Sequence, residues 1–375
     1  MARSSATRAL TLAFGGGGIT GLLIVSLNLI GITILYVGFG GGPHNPEVVS
    51  ELVGFGFGAS LAALFAQLGG GIYTKGADIA ADLVGKIEQG IPEDDPRNAA
   101  VIADLVGDNV GDVAGRGADL FESGSDNLIA AMIVGASFIP QYGWAAVLFP
   151  LLIHAIGAIG AMLGVLAVRG SEKRSAILSM NLGFLTTALF SVASFYFLAQ
   201  FVMHDIRLFY CLGLGLLCTL TISLLVQFYT GIRQKPVKLI AEGSLSGAAI
   251  NLIAGFSWGM ESVGLLIVVA LANMAAFYIM GGGLLGILGI TATTLGIVEM
   301  EGIIMAADAF GPIADNASGI AEMSGLGPQV RRVGDVLDAA GNITKAITKG
   351  YSMSCALMTA VVVLFAYLLE ATRLY

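Results

Sequence analysis

The chain has 375 residues, 56% of them hydrophobic and 12% charged, with a formal net charge of −8. Soluble domains carry about 25% charged residues, so this composition excludes an ordinary soluble enzyme and describes an all-α polytopic membrane protein set in a lipid bilayer. No basic stripe exists, which argues for no nucleic acid among its partners.

Spans of about 20 apolar residues recur nine times: Ile19 to Phe39, Val49 to Leu68, Ala118 to Ala136, Trp144 to Val168, Ser175 to Met203, Leu208 to Tyr229, Met260 to Met280, Leu284 to Met305, and Ile347 to Leu369. The N-terminal MARSSATRALTLAF leads directly into the first span and does not read as a cleavable signal. Four spans carry polar helical extensions. The second runs on to about Glu88, the third begins near Asn98, the eighth runs on to about Met323, and the ninth begins near Val333. Two pairs of helices should therefore project past the bilayer on one side. Of the 18 lysines and arginines, 15 fall on that same side and two on the other, with Arg116 placed inside the membrane. By the positive-inside rule the N-terminus and the acidic segment are expected in the cytoplasm. The 53 glycines suit closely packed membrane helices. Cys211, Cys218 and Cys355 lie in apolar spans and are expected as free thiols.

The chemistry concentrates in the extensions. On the second helix Lys75, Asp78, Asp82 and Lys86 are spaced to share one face. On the third, Asp104, Asp108 and Asp112 recur every four residues; Asp119, Glu122 and Ser123 continue the stripe toward the membrane. Like charges at this spacing destabilise a helix, and nearby low-dielectric surroundings raise the cost. Something positive must compensate. Mg²⁺ fits, since it is held by one or two carboxylates together with substrate phosphate oxygens. The other extension pair repeats the pattern, with Asp308, Asp315 and Glu322 on one helix and Asp335, Asp338, Asn342, Lys345 and Lys349 on the next. Two acidic pairs facing each other would form a pocket above a membrane core. The bland alternative is a solvated acidic face. It fits poorly with a stripe that runs into the bilayer, where intramembrane charge is costly and functional. Gly69 to Gly71, Gly107, Gly111, Gly115 and Gly117 read as helix-packing sites, and no Walker A motif is present.

GGGIYTKGADIAADLVGKIE, IPEDDPRNAAVIADLVGDNVGDVAG and GPIADNASGIAEM followed by DVLDAAGNITKAITKG resemble the motifs of the membrane-integral pyrophosphatases, ion pumps driven by pyrophosphate hydrolysis. The resemblance covers the chain from Arg8 onward and identifies it with the potassium-independent, proton-pumping type. It implies about nine transmembrane helices, the equivalents of helices four to twelve of a sixteen-helix two-ring homodimer. It also implies one transmembrane domain over 1–375, with 69–123 and 308–349 as cytoplasmic extensions that bind pyrophosphate and magnesium. Lys75, Lys86 and Asn342 would contact pyrophosphate. Asp78, Asp82, Glu93, Asp108, Asp315 and Asn342 would hold Mg²⁺, and Asp112 would help activate the attacking water. Asp119, Glu122 and Ser123 would form an ion gate for H⁺, with Na⁺ as the alternative. Lys345 and Thr348 match the signature of potassium independence, the lysine supplying the charge that K⁺ supplies elsewhere. The implied setting is a bacterial inner membrane with a cytoplasmic active site.

Three departures qualify the resemblance. The family's last aspartate–lysine motif, with the second water-activating carboxylate, has no counterpart here, so the chain alone is expected not to turn over pyrophosphate at a pump's rate. A partner chain supplying further helices, or a non-catalytic remnant that still binds Mg-pyrophosphate, are the alternatives. Gln67 stands where the family has arginine before GGG, and Arg116 stands where it has a small or apolar residue. Arg116 and Asp119 are three apart, which suggests that the gate's positive charge has moved from the second helix to the third. Glu299, Glu301 and Asp126 are further acids near or within spans. Glu299 and Glu301 are two apart and should point to different faces. A secondary transporter remains a competing class, though it has no use for the cytoplasmic pocket.

Overall fold

The computed structural model describes residues 5–92, 94–171 and 174–374. Fourteen helices follow one another, and no β-strand occurs among the described residues. Helix α1 spans Ala6–Gly38. A 3₁₀ turn, Pro46–Leu52, leads into α2 (Val53–Asp82), which passes into a π-helical segment at Leu83–Gln89. Next come α3 (Ala100–Asp108), a second π-helical segment (Asn109–Gly115) and α4 (Arg116–Ala136). The short α5 (Ile139–Tyr142) precedes α6 (Ala145–Ala167), α7 (Ala176–Phe197, with a π-helical end at Leu198–Val202) and α8 (Ile206–Thr230). The remainder comprises α9 (Lys235–Ser244), α10 (Ala248–Ser262), α11 (Leu265–Ile279), α12 (Gly283–Val298), α13 (Glu301–Met323) and α14 (Pro328–Leu374).

Among the described residues, eight helical stretches are long and apolar enough to cross a membrane, against the nine expected. The difference is α4. It is helical throughout and packed inside the bundle, but Arg116, Asp119, Glu122 and Asp126 make it too charged to qualify on composition. The expected span Met260 to Met280 forms instead from two helices, α10 and α11, in one stretch over Ala248–Ile279. The polar extensions are real in length. The α2 stretch, Pro46–Gln89, has 44 residues, about 66 Å at 1.5 Å per residue, against a hydrocarbon core of about 30 Å. Helix α14, with 47 residues, overruns it similarly.

Helices α12 and α13 form the axis of the bundle: every residue from Leu288 to Pro312 is buried. Glycines let neighbours reach this axis. A side chain at Gly17 or Gly21 of α1 would overlap the Ala306 or Gly302 carbonyl of α13. Gly215 of α8 and Gly296 of α12 back onto the Thr293 and Leu212 carbonyls in the same way. Lipid-like surroundings give helices little hydrophobic reason to associate, so close backbone approach through small residues carries the packing. The three cysteines are free and buried, as expected.

Candidate active site

Helices α2, α3, α13 and α14 enclose a polar cavity of about 270 Å³. Their small residues set its width. Gly70 backs onto the Val110 carbonyl, Gly107 onto the Cα of Thr74, and Gly111 onto the Thr74 hydroxyl, which donates to the Gly107 carbonyl at 2.6 Å. Gly115 and Gly117 are packed likewise against α2 and Ile24, whereas Gly69 and Gly71 face open space.

Eight aspartates line this cavity: Asp78, Asp94, Asp104, Asp108, Asp112, Asp315, Asp335 and Asp338. Lys75, Arg331, Lys345 and Asn342 join them. Lys75 donates to Asp78 at 2.8 Å. Lys345 reaches across from α14 to Asp112 at 2.8 Å. Arg331 pairs with Asp94 and with Asp335, both at 2.8 Å. Asn342 donates to Asp338 at 3.3 Å. Asp94 adopts a left-handed backbone (φ 57°), a conformation that Asp and Asn tolerate better than most residues.

The electrostatics divide the aspartates. Burial raises the Asp108 carboxyl to about 7; nearby Asp315 and Asp112 push the same way and Lys345 opposes them. Burial, with Asp78 and Asp315, raises Asp104 to about 6. Burial also works against charge on Asp112, but the Lys345 ammonium and the Arg116 guanidinium outweigh it and hold that carboxyl below its usual range. One ionised carboxylate thus stands beside two that hold protons readily near neutrality.

Several expected residues lie elsewhere. Asp82 and Lys86 do not line the cavity; they pair with each other at 3.0 Å on the exposed side of α2 and its π-helical end. Glu93 lies outside the described residues. Asp94, Asp104, Arg331, Asp335 and Asp338 line the cavity although the expected site set omits them. The spacing held a signal for four of these: Asp104 is four from Asp108, Arg331 and Asp335 are four apart, as are Asp338 and Asn342, and the last two pairs make contact.

Below the cavity the α4 acids continue the stripe. Asp119 accepts from Gln67 (3.3 Å) and Ser352 (2.9 Å), and Lys349 lies 3.8 Å away. Ser60 donates to Glu122 at 2.7 Å and lies 3.3 Å from Asp126. Ser123 contributes its carbonyl, which accepts from Asn127. Arg116 does not turn toward Asp119. Its Nε sits 3.6 Å from Asp112 and 3.7 Å from Asp308, and it donates to the Lys345 carbonyl at 3.4 Å. The cation nearest Asp119 is therefore Lys349 of α14, and Arg116 instead ties the cavity floor to the wholly buried Asp308. Thr348 is buried, and its hydroxyl donates to the Thr344 carbonyl at 3.1 Å with the Ile304 carbonyl as the alternative acceptor at 3.4 Å.

A family profile described as "Inorganic H+ pyrophosphatase" matches residues 1–374. The chain belongs to that family. It is 45% identical over 98% of its length to the K(+)-insensitive pyrophosphate-energized proton pump 2 of Moorella thermoacetica, covering 55% of that protein. It is 44% identical over its full length to the K(+)-insensitive pyrophosphate-energized proton pump of Caldanaerobacter subterraneus, again covering 55%. A putative K(+)-stimulated pyrophosphate-energized sodium pump of Clostridium tetani is 43% identical, with the same coverage. The chain spans about half the length of the curated relatives it matches.

Among the described residues no three acidic, histidine or cysteine side chains converge tightly enough to hold a metal by themselves. The donor set is all oxygen, the type that hard cations prefer.

Proposed function

We propose that this chain binds Mg-pyrophosphate in the polar cavity and takes part in coupling its hydrolysis to H⁺ transfer along the acids of α4. One observation carries the reading. Eight aspartates share a 270 Å³ cavity with Lys75, Arg331 and Lys345, an arrangement poorly compensated by itself and well compensated by divalent cations plus a phosphate anion. Lys75, Lys345 and Arg331 would hold the anion's oxygens. Asp78, Asp108, Asp315 and Asn342 would hold Mg²⁺; Asp82 would add a carboxylate, and Lys86 a contact to the anion, by leaving the ion pair they make with each other. Bound magnesium would neutralise phosphoryl oxygen charge. Asp112, kept ionised by Lys345 and Arg116, would orient the attacking water.

Two of the relatives above are named proton pumps and one a putative sodium pump, which favours H⁺ over Na⁺. The Lys345–Asp112 pair supports potassium independence, with Thr348 behind it, since the ammonium already occupies the place beside the carboxylate where a cation would sit. The reading also places the cavity side, with extensions 69–123 and 308–349, in the cytoplasm of a bacterial inner-membrane protein that pairs as a homodimer or with a partner chain. The lysine and arginine distribution supports the orientation.

Isothermal titration of the purified chain with pyrophosphate in excess Mg²⁺ tests the binding. Saturable uptake that requires Mg²⁺ and is not mimicked by equimolar sulfate is expected; absence of uptake refutes the reading. Reconstitution in vesicles, with ΔpH and Na⁺ probes read separately, tests the transported ion.

A further inference from the structure

The central span Gly283–Met323 breaks between α12 and α13, and a glutamate stands on each side of the break. Met300, between them, stays in the right-handed helical region (φ −86°, ψ 0°), and its amide donates to the Ile297 carbonyl in a tightened turn. Both glutamates are 2% exposed, and no cation lies within ion-pair distance of either among the described residues. They point to different faces, as their spacing predicts.

Glu299 turns toward α6 and α7. Its Oε1 lies 3.0 Å from the Ser191 hydroxyl, which also lies 2.9 Å from the Thr187 carbonyl. A hydroxyl has one proton. When Ser191 gives it to the carbonyl, the contact with Glu299 needs a proton from the acid itself. The other oxygen of Glu299 has no partner and fills the space left by Gly157, where a Cβ would come within 2.7 Å of it. Glu301 turns the other way, onto α4. Neither of its oxygens has a partner, and they fill the notch at Gly124, where a Cβ would lie 2.8 Å from one and 3.0 Å from the other. Gly124 adjoins Glu122 and Ser123 of the α4 stripe. On α6, one turn from Gly157, His154 is also buried with an unpartnered Nε2.

An unpaired carboxylate charge so deep is prohibitive, whereas a carboxylic acid is tolerable. Discontinuous membrane helices commonly line ion sites. From these contacts we infer that Glu299 and Glu301 form a second proton-holding site, off the α4 line, that loads and unloads protons at the break in the central span. The ligand is the proton, delivered by water. The site stands apart from the polar cavity and does not depend on pyrophosphate binding there.

Infrared spectroscopy of the full chain in lipid tests this directly. The protonated-carboxyl C=O band should contain components lost in Glu299→Gln and Glu301→Gln. Those components should shift when the wild type is moved into D₂O, because a proton that comes and goes is replaced by deuterium. Should a glutamine variant fail to fold, Glu299→Asp and Glu301→Asp keep a carboxyl and should move the band rather than remove it. Two results overturn the inference: no component assignable to either glutamate, or components that stay unshifted in D₂O over hours, which would mark a sealed structural pair. Mg-pyrophosphate titration of the same sample separates this test from the cavity reading, since either can fail alone.

Discussion

Replacing Lys345 by alanine removes the ammonium that sits 2.8 Å from Asp112. In an effective dielectric of about 20, two unit charges at that distance attract by about 6 kcal/mol before desolvation is subtracted. Breaking a buried pair by deleting one partner costs about 3–5 kcal/mol. Here the side chains retain 17% and 21% exposure, and Arg116 still faces Asp112 at 3.6 Å. Both features lower the cost, to about 2 kcal/mol by that scale. If the cavity loses this much attraction for a bound anion, its dissociation constant should rise about thirtyfold, at 1.4 kcal/mol per decade. The lost charge should be replaceable by a monovalent cation, so K⁺ should restore much of the affinity while wild type stays indifferent to it. Titration calorimetry with Mg-pyrophosphate, in KCl and in an ammonium-free organic-cation buffer, measures both effects. Binding by Lys345→Ala within threefold of wild type, or weakened binding that K⁺ leaves unchanged, would refute the assignment of Lys345 as the cavity's resident cation.

Further outcomes follow from the same geometry. Mg²⁺ must displace the proton that Asp108 holds up to about 7, so Mg²⁺ affinity should rise with pH between about 6 and 7, by at most tenfold per unit for one proton, and then level off; Asp108→Asn should flatten that slope in a pH series of titrations. Without ligand the sign reverses for stability. Asp104 and Asp108 have folded values above the unfolded value of about 3.9, so their contribution favours the fold below about pH 4 and is lost as pH rises toward 7, a trend that thermal unfolding across pH would show. Arg116→Met should cost about 1–2 kcal/mol, below the range for a fully buried pair, because the guanidinium is 27% exposed and stands 3.7 Å from Asp308 with no hydrogen bond between them; adding Asp308→Asn should recover much of it, and a single variant as stable as wild type would remove the pair from the argument. Gly296→Val, which drives a side chain into the Leu212 carbonyl, should destabilise the bundle by about 1–3 kcal/mol or more, measured by thermal aggregation in detergent.

The parts of the cavity that could be read in the sequence are those set by helical period. Lys75 and Asp78 are three apart, Asp104, Asp108 and Asp112 four apart, and all of them reach one space. What the period could not reveal depends on departures from it. The π-helical segment Asn109–Gly115 inserts a wider turn between Asp108 and Arg116, and such turns cluster at functional sites. It changes the register between Asp108 and α4. Arg116 lies at ordinary helical spacing from both Asp112 and Asp119, and it turns back to Asp112 and to Asp308 of α13. The π-helical segment that ends α2, Leu83–Gln89, leaves Lys86 turned to Asp82 and off the cavity. The pair Arg331–Asp335 follows the helical period, but the other partner of Arg331, Asp94, lies 237 positions away and no period reveals it. The expected span Ala118 to Ala136 is present as α4; only its composition sets it apart from the eight apolar stretches, because the acids that give the helix its chemistry make it polar.

Arg116 is where the two levels of the molecule meet. It is a single cation between one carboxylate that lines the cavity and one that lies in the bilayer-depth axis, at nearly equal distances of 3.6 and 3.7 Å. Its guanidinium is always charged, so it cannot relieve a change in its surroundings by losing a proton; it can only shift between partners. Lys345 holds it in place from both ends, through the shared Asp112 and through its own carbonyl. In the proposed reading an anion entering the cavity would compete with Asp112 for both cations, and whatever attraction Arg116 gave to that anion it would withdraw from Asp308. Arg116 would then act on the link between cavity and membrane, while the charge beside Asp119 is that of Lys349.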